Sequence, residues 1–398
     1  MKMKKRFLAL TMAGVLSLGL LSGCGSDTNT NDTPNDGGAD TGAVVLKIGG
    51  IGPVTGGAAI YGTATQWGAQ VAVDEINAAQ DEYVLEYRFN DDENDAEKAV
   101  YAYRNLQDWD VDVIYGCTTS APCVAVAGET FAERYFQLTP SASASDVTAG
   151  RDNVFQMCFT DPAQGTAAAE YIAKGNLATK IGVIYNNSDA YSTGVYEAFA
   201  AGAAEHGLEI VATSTFADDN NPDFSVQIRT IKDAGADLLF LPIYYTPASN
   251  ILKQAKDMGY APKFFGVDGM DGLLTLEGFD VSLAEGLMLM TPFNAYATDE
   301  KTLTFIESFQ ALSGGVAPNQ FAADGYDCVY AIYEAAKKAG VTTDMTHEEI
   351  CDALIAAFTA EDFSYTGLTG SGMTWATDGT ITKIPAAVVI QDGKYVNM

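Results

Sequence analysis

Val111-Asp112-Val113-Ile114-Tyr115-Gly116-Cys117-Thr118-Thr119-Ser120-Ala121-Pro122 joins a short apolar run to a cluster of small hydroxyl residues. Further on, Tyr135-Phe136-Gln137-Leu138 runs into a second such cluster, Thr139-Pro140-Ser141-Ala142-Ser143. Both apolar runs read as buried parallel strands. Both clusters then lie at the carboxyl ends of neighbouring strands, where open α/β sheets bind ligands. Ser120 falls where a helix should begin, with Pro122 in its first turn. Free N–H groups, the positive end of a helix and several hydroxyls make a shelf for a small anion, read here as a carboxylate. Taken alone, either cluster serves equally well as helix caps and turn formers.

The same rhythm extends outward in both directions. Val44–Ile48 is a strand, Gly49–Gly62 a glycine-rich turn, Ala64–Ala79 an amphipathic helix and Val84–Phe89 an alternating strand. Asp95 is placed to cap the next helix. A second cycle starts near Asn153, with strands at Val154–Phe159, Lys180–Tyr185, Glu209–Ala212, Asp237–Ile243, Phe264–Val267 and Glu285–Met290 separated by helical stretches. The expectation is an α/β protein of two Rossmann-like lobes, each a parallel sheet flanked by helices. Helical stretches at Glu300–Leu312, Phe321–Ala339 and His347–Ala360 either return to cover the first lobe or enlarge the second. The former gives several chain crossings and a multi-strand hinge. It assigns residues 44–161 and 292–372 to lobe 1, and 162–291 and 373–398 to lobe 2.

The N-terminus has a different composition. Lys2, Lys4, Lys5 and Arg6 precede an apolar stretch from Phe7 to Leu21, then Leu21-Ser22-Gly23-Cys24. Residues 1–23 read as a secretory signal, too short for a stable membrane span. The box resembles that of bacterial lipoproteins, which implies lipidation of Cys24. Residues 24–43 are polar, Gly-rich and Asp-rich, and read as a flexible tether. The chain carries 22 Lys+Arg against 52 Asp+Glu, a formal charge of −30, which repels nucleic acid and anionic lipid. Beyond Cys24 come Cys117, Cys123, Cys158, Cys328 and Cys351, an odd number with no zinc-like spacing.

Chemistry-bearing motifs are sparse. The two histidines, His206 and His347, sit on helical stretches away from strand ends, and no nucleophile elbow, zinc helix or phosphate loop occurs. No cofactor or metal is expected. The acidic run Asp91–Asp95 lacks the central glycine of a calcium loop, and Ala102 stands where a bidentate glutamate is needed. These features argue against an enzyme. The strand ends instead divide the labour. Lobe 1 offers the hydroxyl shelf and a loop through Tyr61, whereas lobe 2 offers Tyr191, Tyr244 and Asp268. A carboxylate facing an anion shelf describes a zwitterion, an α-amino acid with an apolar or aromatic-lined side-chain pocket.

With those positions in view, the chain resembles the branched-chain amino acid type of extracytoplasmic solute-binding protein, with the type I periplasmic binding protein fold. The resemblance runs from Leu46 to about Tyr395. It is carried by Ile51-Gly52-Pro53-Val54-Thr55-Gly56, Asp74-Glu75-Ile76-Asn77, Leu138-Thr139-Pro140-Ser141-Ala142-Ser143, Asp161-Pro162-Ala163-Gln164-Gly165 and Phe265-Gly266-Val267-Asp268-Gly269, in order. It implies that Ser120 binds a ligand carboxylate and that Ser141 contributes backbone contacts. Ser143 stands where the family has a threonine for carboxylate and ammonium. Asp268 takes the ammonium, where glutamate is usual, and Tyr61, Tyr191, Tyr244 and Phe321 line the pocket. Asp268 also fits a helix cap, and Tyr244 and Phe321 also fit a packed core. The family's small disulfide in the first lobe is not clearly reproduced. The resemblance further implies a lipid-anchored extracytoplasmic protein delivering a small amino acid to an ABC permease and its ATPase subunits. A ligand sensor of the same fold is the alternative.

Overall fold

The computed structural model describes residues 42–79 and 82–398. The expected signal segment, Cys24 and nearly all of the expected tether lie outside the described residues. Five parallel strands build the first sheet: β1 (Val44–Gly52), β2 (Tyr83–Asp91), β3 (Val113–Gly116), β4 (Phe136–Thr139) and β5 (Val154–Gln156), in the order β2-β1-β3-β4-β5. Every residue of β3, β4 and β5 is buried, the polar Gln137, Thr139 and Gln156 included, as expected of central parallel strands. At the sheet edge, β2 alternates between buried and exposed positions over its first four residues, matching its alternating sequence. Helices α1 (Ala59–Ala78), α2 (Ala96–Gln107) and α3 (Ser120–Glu133) make the crossovers. Asp95 caps α2 as expected, its carboxylate accepting from the Glu97 and Lys98 N–H groups.

The second sheet repeats the scheme. Strands β6 (Ile181–Asn186), β7 (Ile210–Phe216), β8 (Leu238–Leu241), β9 (Lys263–Gly266) and β10 (Met288–Met290) are parallel, and β11 (Ala387–Gln391) and β12 (Lys394–Asn397) add an antiparallel edge. The order is β12-β11-β10-β9-β8-β6-β7. Its helices are α4 (Asp161–Lys174), α5 (Ala190–Glu205), α6 (Ser225–Asp233) and α7 (Tyr245–Asp257).

Three later helices, α8 (Glu300–Ser313), α9 (Gln320–Ala339) and α10 (His347–Phe358), return to the first sheet. Helix α9 lies so close along α1 that a Cβ on Gly68 would meet the Ala322 carbonyl oxygen at 1.9 Å. On α10, Phe358 packs at 5.0 Å from Phe136 and 5.4 Å from Phe155, both strands of the first sheet. The chain therefore passes between the sheets after β5, after β10 and before β11. Residues 373–381 differ from the expected placement with the second lobe. Trp375 Nε1 donates to the Gln156 carbonyl at 2.8 Å, and the Gln156 N–H donates to Gly379 O at 3.0 Å, both on β5 of the first sheet. A turn-rich stretch without periodicity carries no signal of which sheet edge it meets.

Just past it, Lys383 is buried and donates to Asp324 on α9 at 2.8 Å and to Thr369 at 2.7 Å. All five cysteines of the described residues are buried free thiols. Among those residues no helix is long and apolar enough to cross a membrane.

Candidate functional site

Each sheet has one place where the strand order reverses, between β1 and β3 in the first and between β6 and β8 in the second. Crevices open at the carboxyl ends there, because successive helices leave on opposite faces. The candidate site lies where these two crevices face each other. One small cavity is lined by Tyr61, Thr118, Thr119, Ser120, Ser141, Tyr191, Tyr244, Asp268, Gly269 and Phe321. Seven of the eight expected ligand-binding residues are in that lining, and Ser143 is not.

The first-sheet side is built from β3, β4 and α3. Gly116 ends β3 at φ +124, where a Cβ would strike the Ile51 carbonyl oxygen at 2.4 Å, so the turn into Thr118 requires glycine. Thr119 is the residue before α3, and its hydroxyl makes no cap; Thr119 Oγ1 is buried without a hydrogen-bond partner. The shelf is cross-braced instead. Ser141 Oγ donates to the Thr118 carbonyl at 2.6 Å, and Ser120 Oγ accepts the Ala144 N–H at 3.2 Å. Thr118 Oγ1 pairs with Thr65 Oγ1 at 3.0 Å. Ser120 can still donate its proton, and the first amides of α3 point beyond it.

The second-sheet side carries the acid. Asp268 follows β9, is 3 % exposed, and accepts from the Tyr191 hydroxyl at 2.6 Å. Its backbone is held by Gln164, whose Oε1 accepts the Asp268 N–H at 3.1 Å, and by Gln320, whose Nε2 donates to the Asp268 carbonyl at 3.4 Å. Burial pushes the Asp268 carboxyl up to about 7, while the Tyr191 hydroxyl pulls it back down. Among the described residues no lysine or arginine pairs with it. An ammonium is the natural partner for such a group.

Aromatic rings close the remaining wall. Tyr61 meets Phe321 at 4.3 Å and Tyr244 edge-on at 5.4 Å, and Tyr191 stacks on Tyr244 at 5.2 Å. The Tyr61 hydroxyl also ties the two sides together, donating to the Gly269 carbonyl and accepting the Tyr245 N–H at 3.0 Å. Thr246 Oγ1 donates across to Gly57 O at 2.7 Å. The cavity encloses about 10 Å³ in this closed arrangement, room for about one water.

Ser143 sits just behind the shelf, where its hydroxyl faces Asp161 at the start of α4 and partly offsets the burial that drives that carboxyl well above its ordinary range. Neither residue's side-chain oxygens make a hydrogen bond of good geometry. The sequence reading expected Ser143, held Thr119 only as a member of the hydroxyl cluster, and passed over Asp161 and Gln164. The last two were visible only as letters of the Asp161-Pro162-Ala163-Gln164-Gly165 motif.

Comparison with known proteins agrees with this architecture. A Leu/Ile/Val-binding protein homolog of Brucella melitensis is 27% identical over 304 residues, covering 75% of this chain and 80% of its own. The branched-chain amino acid transporter substrate binding protein LivJ of Streptococcus pneumoniae, solved with isoleucine, superposes with a TM-score of 0.79 at 28% identity, covering 88% and 97%. A solute binding protein of Rhodopseudomonas palustris solved with 3,4-dihydroxy benzoic acid shares the fold, with a TM-score of 0.78 at 21% identity, covering 89% and 96%. The model of the periplasmic binding protein family matches residues 45–394. With its two facing sheets and three crossings, the chain belongs to the periplasmic binding protein family and has the type I fold.

Proposed function

We propose that this protein captures a small α-amino acid between its two lobes and delivers it to an ABC permease with its ATPase subunits, without chemical turnover. One observation carries the reading. The hydroxyl shelf at the N-terminus of α3 and the Asp268 carboxylate face each other across one aromatic-walled cavity. In this reading Ser120, with the α3 amides, takes the ligand carboxylate, and Asp268 takes the ammonium. Ser141 and Ser143 shape the shelf, and Tyr61, Tyr191, Tyr244 and Phe321 surround the side chain. The relatives' binding of leucine, isoleucine and valine supports the amino-acid class. An aromatic acid of the kind held by the Rhodopseudomonas protein has no ammonium to answer Asp268. The remaining elements are a signal at residues 1–23, lipidation at Cys24, a tether over 24–43 and two lobes that move about the crossings. In this reading the protein works outside the cytoplasm, held at the cell membrane by its lipid.

Ligand closure works by differential affinity. A ligand that touches both lobes binds the closed state better and shifts the population towards it. Charge-assisted hydrogen bonds in a desolvated site contribute roughly 1.5–3 kcal/mol each. The test is mass spectrometry of the small molecule that co-purifies, with thermal shifts for the twenty amino acids at millimolar concentration. A co-purifying α-amino acid that raises the melting temperature supports the reading, and no shift with any of them overturns it.

A further inference from the structure

One peptide group joins the two halves of the candidate site. The Ala144 N–H donates to Ser120 Oγ at 3.2 Å, and the carbonyl of the same peptide, Ser143 O, accepts the Asp161 N–H at 2.9 Å. Asp161 opens α4, directly after the chain has passed from the first lobe to the second. One turn on, Gln164 Oε1 accepts the Asp268 N–H at 3.1 Å. A continuous run of hydrogen bonds and one helical turn thus leads from Ser120 on the shelf to Asp268 on the opposite wall. It passes through a crossing of the chain rather than over the open cleft, so it need not break when the lobes part.

The far end of this connection is rigid. Gln164 is fully buried, and its Nε2 makes no hydrogen bond of good geometry among the described residues, so the Asp268 N–H is the one firm partner of the amide. The same side chain lies against the Asp268 carboxyl and favours its ionised form. Next to it, a Cβ on Gly165 would meet the Val195 carbonyl oxygen at 2.4 Å and the Phe199 nitrogen at 2.6 Å, so α4 is seated directly on α5. Helix α5 in turn carries Tyr191, whose hydroxyl holds the Asp268 carboxylate. Asp268 is therefore gripped at its backbone from α4 and at its side chain from α5. Close-packed helices resist small displacements, which fixes where the acid stands relative to Ser120.

We propose that Gln164 is a positioning residue that determines specificity: it fixes the separation of the carboxylate subsite at Ser120 from the ammonium subsite at Asp268, so that α-amino acids fit and β-amino acids do not. The inference rests on the amino-acid reading of the site, and Gln164 acts through Asp268 rather than on the ligand. In a β-amino acid the ammonium stands one carbon further from the carboxylate and meets Asp268 out of line. Charge-assisted hydrogen bonds discriminate in this way because their strength depends on direction as well as distance. A binding group must be held to within about 0.5 Å of its working position by its supporting residues.

Calorimetric titration of the full chain with two isomer pairs tests this: alanine with β-alanine, and leucine with β-leucine. The members of a pair have the same atoms and differ chiefly in the separation of their charges. The native protein is compared with Gln164→Met and Gln164→Glu, and a thermal melt checks folding. Methionine keeps the volume but cannot accept the Asp268 N–H, whereas glutamate can. The native protein should bind the α-isomer of at least one pair at least about ten-fold more tightly than its β-isomer. Gln164→Met should weaken that α-isomer by about ten-fold and leave its β-isomer within about two-fold, so the preference collapses, and Gln164→Glu should keep it. Gln164→Asn, whose shorter arm stops short of the Asp268 N–H, should behave as Gln164→Met does and replaces it if that variant does not fold. Equal losses for both isomers mark a merely structural role and overturn the proposal. So does a preference that survives Gln164→Met, or one that Gln164→Glu loses as fully. A native protein that binds both isomers equally overturns the proposal but not the amino-acid reading, and binding of none of the four overturns both.

Discussion

The Tyr191 hydroxyl donates to Asp268 Oδ1 at 2.6 Å while it accepts the Gly269 N–H at 2.9 Å. One phenol thus fixes the acid and the backbone that follows it. Tyr191→Phe removes the hydrogen bond that favours the ionised carboxylate. A hydrogen bond to a charged group contributes about 1.5–3 kcal/mol, so affinity for an amino acid at neutral pH should fall by roughly ten-fold or more. Titration calorimetry reads this directly, and an unchanged dissociation constant would show that Asp268 needs no help from the ring.

Binding should depend on pH with a definite sign. Burial raises Asp268 from 3.8 to about 7. A ligand ammonium favours the ionised form, so binding expels a proton below that value and affinity falls as pH drops from 7 to 5. The unliganded protein behaves in the opposite way. Asp92 is also raised to about 7, again by burial. Between about pH 4 and pH 7 the folded state holds protons that the unfolded chain has released, so stability rises on acidification and is lost as pH climbs through the folded values. Melting curves and titrations in buffers of different ionisation enthalpy, both across pH 5–8, should show the two opposed trends.

Tyr61 acts as a latch between the lobes through Gly269 and the Tyr245 N–H. Tyr61→Phe leaves two buried polar groups without a partner in the closed form, a penalty of about 1–3 kcal/mol per group. Solution scattering of the unliganded variant should give a larger radius of gyration than the native protein, with ligand affinity reduced by at least about five-fold. An identical scattering curve would place the control of closure elsewhere.

Ser120→Ala removes the acceptor of the Ala144 N–H and, in the proposed reading, a donor to the ligand carboxylate. Carboxylate ligands should weaken by about 1–3 kcal/mol, whereas an amine lacking a carboxylate should lose little. Equal losses for both would mean that Ser120 only braces the turn.

The Lys383–Asp324 pair is buried on both sides, with side chains 2 % and 1 % exposed. Lys383→Met strands the Asp324 charge and should cost about 3–5 kcal/mol of stability, much of it recovered by also replacing Asp324 with leucine. Urea denaturation of the single and double variants measures this.

The alternation of apolar strands with helical stretches was readable along most of the chain, because strands buried on both faces are short continuous apolar runs. Ser120, Ser141, Tyr191 and Asp268 were readable for a related reason: strand-end loops at a sheet reversal must face the crevice. What the sequence hid was which groups meet. Ser143 faces Asp161 rather than the cavity although it follows Ser141 by two residues, a spacing that in a regular strand would put both on one side. Asp161 looked like an ordinary residue at a helix start, and only the packing of α4 against Gly194 on α5 reveals its isolation. Trp375 was placed with the wrong sheet edge for want of any periodic pattern around it.

The close seating of α9 on α1 has a consequence for biogenesis. The first lobe cannot finish its core until Ala322 reaches Gly68, and the whole second sheet except its antiparallel edge is made in between. Contacts so distant in sequence slow folding and leave apolar surface waiting for its cover. A chain emerging N-terminus first therefore stays pliable until its last quarter appears. That delay would suit the export proposed above, in which the polypeptide crosses a membrane before it sets.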